Sequence, residues 1–143
     1  MKENITTTKL TIPGEFGYER IPALASSHIA QLIGLPPKRA KDLEVAISEA
    51  CINAFEHGYQ SKPGCEVIVT ITVSELALTV DVRDFGVGGV CLYKADKMNA
   101  WSRGWGLHLI HKLVDDVTVE SAPGKGTQIS MIIYLNDKGE RDV

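Results

Sequence analysis

Apolar and polar positions along this chain change period several times, and each change predicts an element. Residues from about Ile5 to Ile12 alternate through a threonine-rich run containing Thr7 and Lys9, which predicts a first strand ending at Pro13-Gly14. From Tyr18 to Leu35, residues Ile21, Leu24, Ala25, His28, Ile29, Leu32 and Ile33 mark a helix. Pro22 confines its regular start to that neighbourhood, and Gly34, just before Pro36-Pro37, stops it. A second helix starts near Lys38 and ends around Gly58, a good C-cap residue. Leu43, Ala46, Ile47, Ala50, Cys51 and Ala54 form its apolar face, while Glu49, Asn53 and His57, four apart, share one side. Cys65 to Val73 and Leu76 to Val82 alternate as a hairpin joined tightly at Ser74-Glu75. Periodicity fails between Phe85 and Ser102 and returns as a helix from Gly106 to Val114. Two strands follow, Val117 to Glu120 and Thr127 to Leu135, around the turn Ala122-Pro123-Gly124-Lys125-Gly126, before a polar tail. The fold class expected is α+β, a two-layer α/β sandwich of a mostly antiparallel sheet with helices on one face.

Composition narrows the setting. The 143 residues suit a single domain spanning 1–143 that buries roughly two-thirds of its unfolded surface. No apolar run approaches the roughly 18 residues of a membrane span, and the N-terminus lacks an apolar signal core, so a cytoplasmic location and no membrane contact are expected. Fifteen Lys and Arg against eighteen Asp and Glu leave a formal charge of −3 without a basic tract, which argues against direct nucleic-acid binding. Cys51, Cys65 and Cys91 are too widely spaced for a Cys-x-x-Cys site and read as reduced and structural. His108-x-x-His111 lacks a recognisable set of further ligands and reads as surface histidines.

The stripe Glu49, Asn53, His57 taken alone fits a water-facing helix side as well as a ligand site, because buried polar groups need partners. Two glycine motifs alter that balance. Asp84-Phe85-Gly86-Val87-Gly88 follows a strand, and Arg103-Gly104-Trp105-Gly106-Leu107 opens a helix, where backbone N–H groups can approach phosphates closely. The ordered set is Glu-x-x-x-Asn on a helix, Asp-x-Gly-x-Gly after a strand, Gly-x-Gly-Leu opening a helix and Gly-Lys-Gly-Thr before the last strand. This set resembles the GHKL ATPase superfamily of histidine-kinase, gyrase and chaperone ATPases. The run from Ser48 to Tyr59 is most similar to its branch of small anti-sigma-factor serine kinases, and the resemblance covers nearly the whole chain.

The resemblance implies ATP and Mg²⁺ as cofactors and a GHKL (Bergerat) fold with an ATP lid over about residues 85–102. The length of that loop supports a lid, although a plain surface connection would also account for it. Asn53 offers an amide oxygen suited to Mg²⁺, and Glu49, one turn earlier, corresponds to the general base. Asp84 corresponds to the carboxylate that accepts from the exocyclic amine of adenine, with Gly86 and Gly88 keeping the loop open; Asp is also common at strand-end turns. Gly104, Gly106 and the backbone at Leu107 correspond to phosphate contacts, and Arg103 to a charge-assisted contact with the outer phosphates. His57 and Thr127 complete the expected pocket. Trp101 and Trp105 flank the second glycine motif, where a large ring could cover the nucleotide or meet a partner, with core packing the expected role of at least one. The function implied is a serine/threonine protein kinase that binds a sigma factor and phosphorylates an anti-anti-sigma (STAS-type) antagonist, as a homodimer. The alternatives are a switch kinase of a stress-signalling scaffold and a non-catalytic ATP-gated binding module. A detached histidine-kinase ATPase domain ranks last, since no preceding helical hairpin carries a phosphoacceptor histidine.

Overall fold

The alternating runs pair into a single five-stranded antiparallel sheet. A computed structural model describes residues 4–59, 65–85, 106–122 and 126–135, without the side chains of 57–59 and 122. The strands are β1 (Thr6–Pro13), β2 (Glu66–Val73), β3 (Ala77–Asp84), β4 (Asp116–Ala122) and β5 (Gly126–Tyr134), in the order β1-β2-β3-β5-β4. Every neighbouring pair is antiparallel. The helices are α1 (Arg20–Leu32), α2 (Pro37–Asn53) and a third, α3, over 106–113. The expected α+β sandwich, with its antiparallel sheet, is the fold observed.

Alternation fixes which sheet face is dry. Val67, Val69 and Ile71 on β2, Leu78, Val80 and Val82 on β3, and Ile129, Met131 and Ile133 on β5 form the inward rows. They form one core with Leu43, Ala46, Ile47 and Ala50 of α2 and Ile110 of α3. Each fully buried aliphatic side chain contributes about 1.5–3 kcal/mol. At one end of the sheet the inward rows of β3 and β5 end in the polar residues Asp84 and Thr127, and the neighbouring strand β4 brings Ser121 to the same end. The register places Thr127 opposite both Asp84 and Ser121.

Helix ends follow local chemistry. Ile33 caps α1, Gly34 follows at φ +89°, and the N–H groups of Gly34 and Leu35 return to the carbonyls of Gln31 and Ala30. This is a Schellman closure, which favours glycine at the left-handed position. Pro36 caps α2 and Pro37 occupies its first turn, where a missing N–H costs nothing. Arg20 fastens α1 to α2 through Glu44 at 2.5 Å and Ser48 Oγ at 3.2 Å.

Two expected boundaries differ. The second helix keeps α geometry only to Asn53 and continues over Ala54–Tyr59 as a π-helical turn. Bonding from i to i+5 winds the chain less per residue than an α-helix does. The β2–β3 connection contains Ser74, Glu75 and Leu76 rather than two residues. The Ser74 hydroxyl accepts from the N–H groups of both Leu76 and Ala77 at 3.2 Å, which stabilises the longer turn. Among the described residues, no helix is long and apolar enough to cross a membrane.

Candidate functional site

At the polar end of the inward rows, the sheet and α2 part to leave a cleft of about 110 Å³. Ala50, Asn53 and Ala54 line it from the helical side and Leu107 from α3, facing Val82, Asp84, Val119, Ser121, Thr127 and Ile129 of the sheet. Four residues singled out from the sequence, Asn53, Asp84, Leu107 and Thr127, therefore converge from four elements. The walls are mostly apolar and the polar groups few, the composition of a small-molecule site that selects by orientation.

Alternation explains the depth of Asp84. It is the fourth member of the row Leu78, Val80, Val82, Asp84 and is only 4% exposed, so its carboxylate occupies a position reserved elsewhere for aliphatic groups. Its backbone is fixed by Gly126. A Cβ built on Gly126 would lie 2.1 Å from the Asp84 carbonyl oxygen and 2.6 Å from Phe85 Cα, and φ there is +86°. Only glycine lets β5 begin so close to the end of β3. Beyond Asp84, the guanidinium of Arg83 lies over the Phe85 ring at 5.1 Å.

Glu49 stands beside the cleft rather than in its lining. Its Oε1 would be 3.7 Å from a Cβ on Gly106, so the carboxylate of α2 reaches α3 at a residue that carries no side chain of its own. Burial raises the proton affinity of Glu49, and the negative charge of Glu56 raises it further. Cys51, one turn from Phe55 on the dry side of α2, has its thiol pushed up to about 12 by burial and, secondarily, by Glu19, which leaves it chemically inert. His108 and His111 are both exposed. The amide oxygen of Asn53 suits a hard cation that keeps phosphate and water ligands better than a soft one.

Gly86, Gly88, Cys91, Trp101, Arg103, Gly104, Trp105, most of the expected lid and the His57 side chain lie outside the described residues. Sequence reasoning missed Ser121, which lines the cleft and whose Oγ accepts from Thr127 Oγ1 at 3.3 Å. The signal was the alternation of Val117, Val119 and Ser121, but only the strand register brings Ser121 opposite Thr127. It also missed Glu56, whose influence on Glu49 follows from helical proximity.

A family described as "Histidine kinase-like ATPase domain" matches residues 18–133. The chain belongs to the histidine kinase-like ATPase family. As a family member it binds ATP. Within the family it is similar to "Serine-protein kinase RsbW" of Bacillus velezensis, 32% identical over 99% of this chain and 92% of that protein. The protein of the same name from Bacillus subtilis is 31% identical over the same shares. It is also similar to "Anti-sigma F factor" of Clostridium acetobutylicum, 36% identical over 63% of this chain and 66% of that one. The fold matches a crystal structure of the RsbU and RsbW domains of Rv1364c from Mycobacterium tuberculosis, with a TM-score of 0.67 at 21% identity. That match covers 90% of this chain and 32% of the other.

Proposed function

We propose that the chain is a cytoplasmic, ATP- and Mg²⁺-dependent serine/threonine protein kinase that acts as an anti-sigma factor. It binds a sigma factor and phosphorylates an anti-anti-sigma antagonist of the STAS type. The convergence of Asn53, Asp84, Leu107 and Thr127 on one cleft, with Glu49 at its edge, carries this reading, and the full-length similarity to serine-protein kinases supplies the reaction. The whole chain, 1–143, acts as a single nucleotide-binding domain whose lid spans about 85–102.

In this reading Asp84 accepts the exocyclic amine of adenine from its dry position, beside Thr127, and His57, Gly86 and Gly88 border the base and its loop. Gly104, Gly106 and the Leu107 backbone meet the phosphates, with Arg103 at the outer ones. Asn53 holds Mg²⁺, which when bound neutralises phosphate charge and orients the transferred group. Glu49 takes the proton of the attacking serine or threonine hydroxyl, and its raised proton affinity makes it a stronger base than an exposed carboxylate. The bond between the hydroxyl oxygen and phosphorus forms as the bond to the departing diphosphate breaks.

Two variants test the assignment. Glu49→Ala retains nucleotide and sigma-factor binding and loses about 10²–10⁴ in transfer rate, the usual cost of removing a general base. Asn53→Ala loses nucleotide affinity and transfer together, because catalysis here is mainly positioning and charge stabilisation. Calorimetry with MgATP and labelled-phosphate transfer to co-purified partners read both. Transfer at the wild-type rate by Glu49→Ala removes Glu49 as the base. Absence of transfer by the wild type to any partner leaves an ATP-gated binding module.

A further inference from the structure

Arg39 lies toward the opposite end of α2 from Asn53 and touches no part of the cleft, yet both arms of its guanidinium are committed. Nη1 donates to the carbonyl oxygen of Leu113 at 3.3 Å and Nη2 donates to Asp115 Oδ1 at 3.0 Å. Asp42 adds a carboxylate oxygen 3.9 Å from Nη1. Leu113 is the last residue of α3, so the first bond satisfies one of the carbonyls a helix leaves open and sets a cation at its negative end. Asp115 is itself fixed to the sheet. Its Oδ2 accepts the N–H of Tyr134 at 2.8 Å, and its own N–H donates to the Ile132 carbonyl at 2.9 Å. One guanidinium thus joins α2, the C-terminal end of α3 and β5.

The other end of α3 is where the chemistry lies. Arg39 of α2 meets Leu113, and Glu49 of α2 stands against Gly106, so α2 and α3 run antiparallel. Gly106 itself offers no side chain at that end, and Leu107 packs beside it against the core. Its described part, 106–113, is a continuous run short enough for the placement of one end to bear on the other, with Ile110 buried and Leu107 and Leu113 packed against the core. A slip at Leu113 is therefore delivered to Gly106 and Leu107.

We propose that Arg39 is a positioning residue for the nucleotide site: by fastening the end of α3 to α2 and Asp115, it sets where Gly106 and Leu107 meet the phosphates. The proposal rests on the reading of Gly106 and Leu107 as phosphate contacts. It makes a prediction that a purely structural Arg39 does not. Loss of the fastening weakens binding of the phosphates and spares that of the base, whose polar contacts Asp84 and Thr127 come from β3 and β5.

The test compares the full wild-type chain with Arg39→Gln and Arg39→Lys. Calorimetry measures MgATP and adenosine affinities, and hydrogen exchange follows residues 106–113. Wild type binds MgATP more tightly than adenosine. Arg39→Gln loses roughly two- to thirtyfold in MgATP affinity, the range for substitutions that disturb a coupled element. It leaves adenosine affinity unchanged and exchanges faster in α3. Arg39→Lys keeps the charge but not the two-armed geometry and falls between them. Equal losses for both ligands, or an unchanged MgATP affinity, overturn the proposal, and Arg39→Lys decides on the same ratio if Arg39→Gln does not fold. A wild type that gains nothing from the phosphates removes the reading of Gly106 and Leu107 and this proposal with it, a failure seen before any variant is made.

Discussion

Glu49 is held where its proton is released late, first because the site is partly dry and second because Glu56 is negative. A base of this kind is stronger once ionised but ionises at a higher pH, so the acid limb of phosphotransfer should lie above that of an ordinary carboxylate. Glu56→Gln removes the like charge and keeps the burial. The limb should then move to lower pH in a rate profile taken at saturating MgATP, and an unmoved limb would mean that Glu49 does not govern it. The stability sign is the reverse of that for a salt-bridged acid. A raised folded pKa favours the fold at low pH and costs stability once pH exceeds it, because the folded chain must then keep the charge in a drier place. Glu49→Gln should accordingly melt at or above the wild-type temperature at neutral pH while losing transfer. A lower melting temperature would make Glu49 a structural residue.

Between elements, Gly126 approaches the end of β3 too closely for any side chain. Gly126→Ala should cost at least the about 1–3 kcal/mol of a strained left-handed residue, and ATP affinity should fall as the Asp84–Phe85 peptide is displaced. Gly34→Ala is the control, having a similar φ of +89° with open space around the added carbon. It should lose stability in thermal melts without losing ATP. The Arg20–Glu44 tie is pH-sensitive in the opposite sense to Glu49. Hydrogen bonding from Arg20 holds the Glu44 carboxyl below its ordinary value of 4.5, against the opposing effect of burial. Its stabilisation is present above 4.5 and is lost as pH falls through the lower folded value. Glu44→Gln should flatten the fall of melting temperature on acidification below that point. Most of these elements were legible as periodicity, because each strand and helix buries one face and the period follows from geometry. The π turn was not, since Ala54–Tyr59 keeps the composition of a helix end. The pairing of Ser121 with Thr127 was hidden for another reason. Alternation says which face a residue takes but not which partner it meets, and that depends on the register of two strands joined through a turn.

Among the described residues, α1 and β1 both leave apolar or unpaired groups at the surface. Along α1, Ile21 is 48%, Leu24 54% and Leu32 70% exposed, and β1 lies at the sheet edge with most of its residues exposed. An open strand edge and an exposed apolar helix stripe are each a liability for a lone chain and a contact surface available to a pair. A two-fold dimer through β1 and α1 would bury the three aliphatic side chains, each contributing about 1.5–3 kcal/mol when fully covered. Leu24→Glu would place a charge in that contact and should give a monomer in sedimentation velocity at concentrations where a dimer of the wild type is expected. ATP affinity should survive, because the cleft is lined by α2, α3 and the far strands, and α1 reaches α2 through the separate Arg20–Glu44–Ser48 contact. A wild type that stays monomeric at high concentration would remove the dimer and leave the nucleotide site as it stands. A Leu24→Glu dimer as tight as wild type would move the interface away from α1.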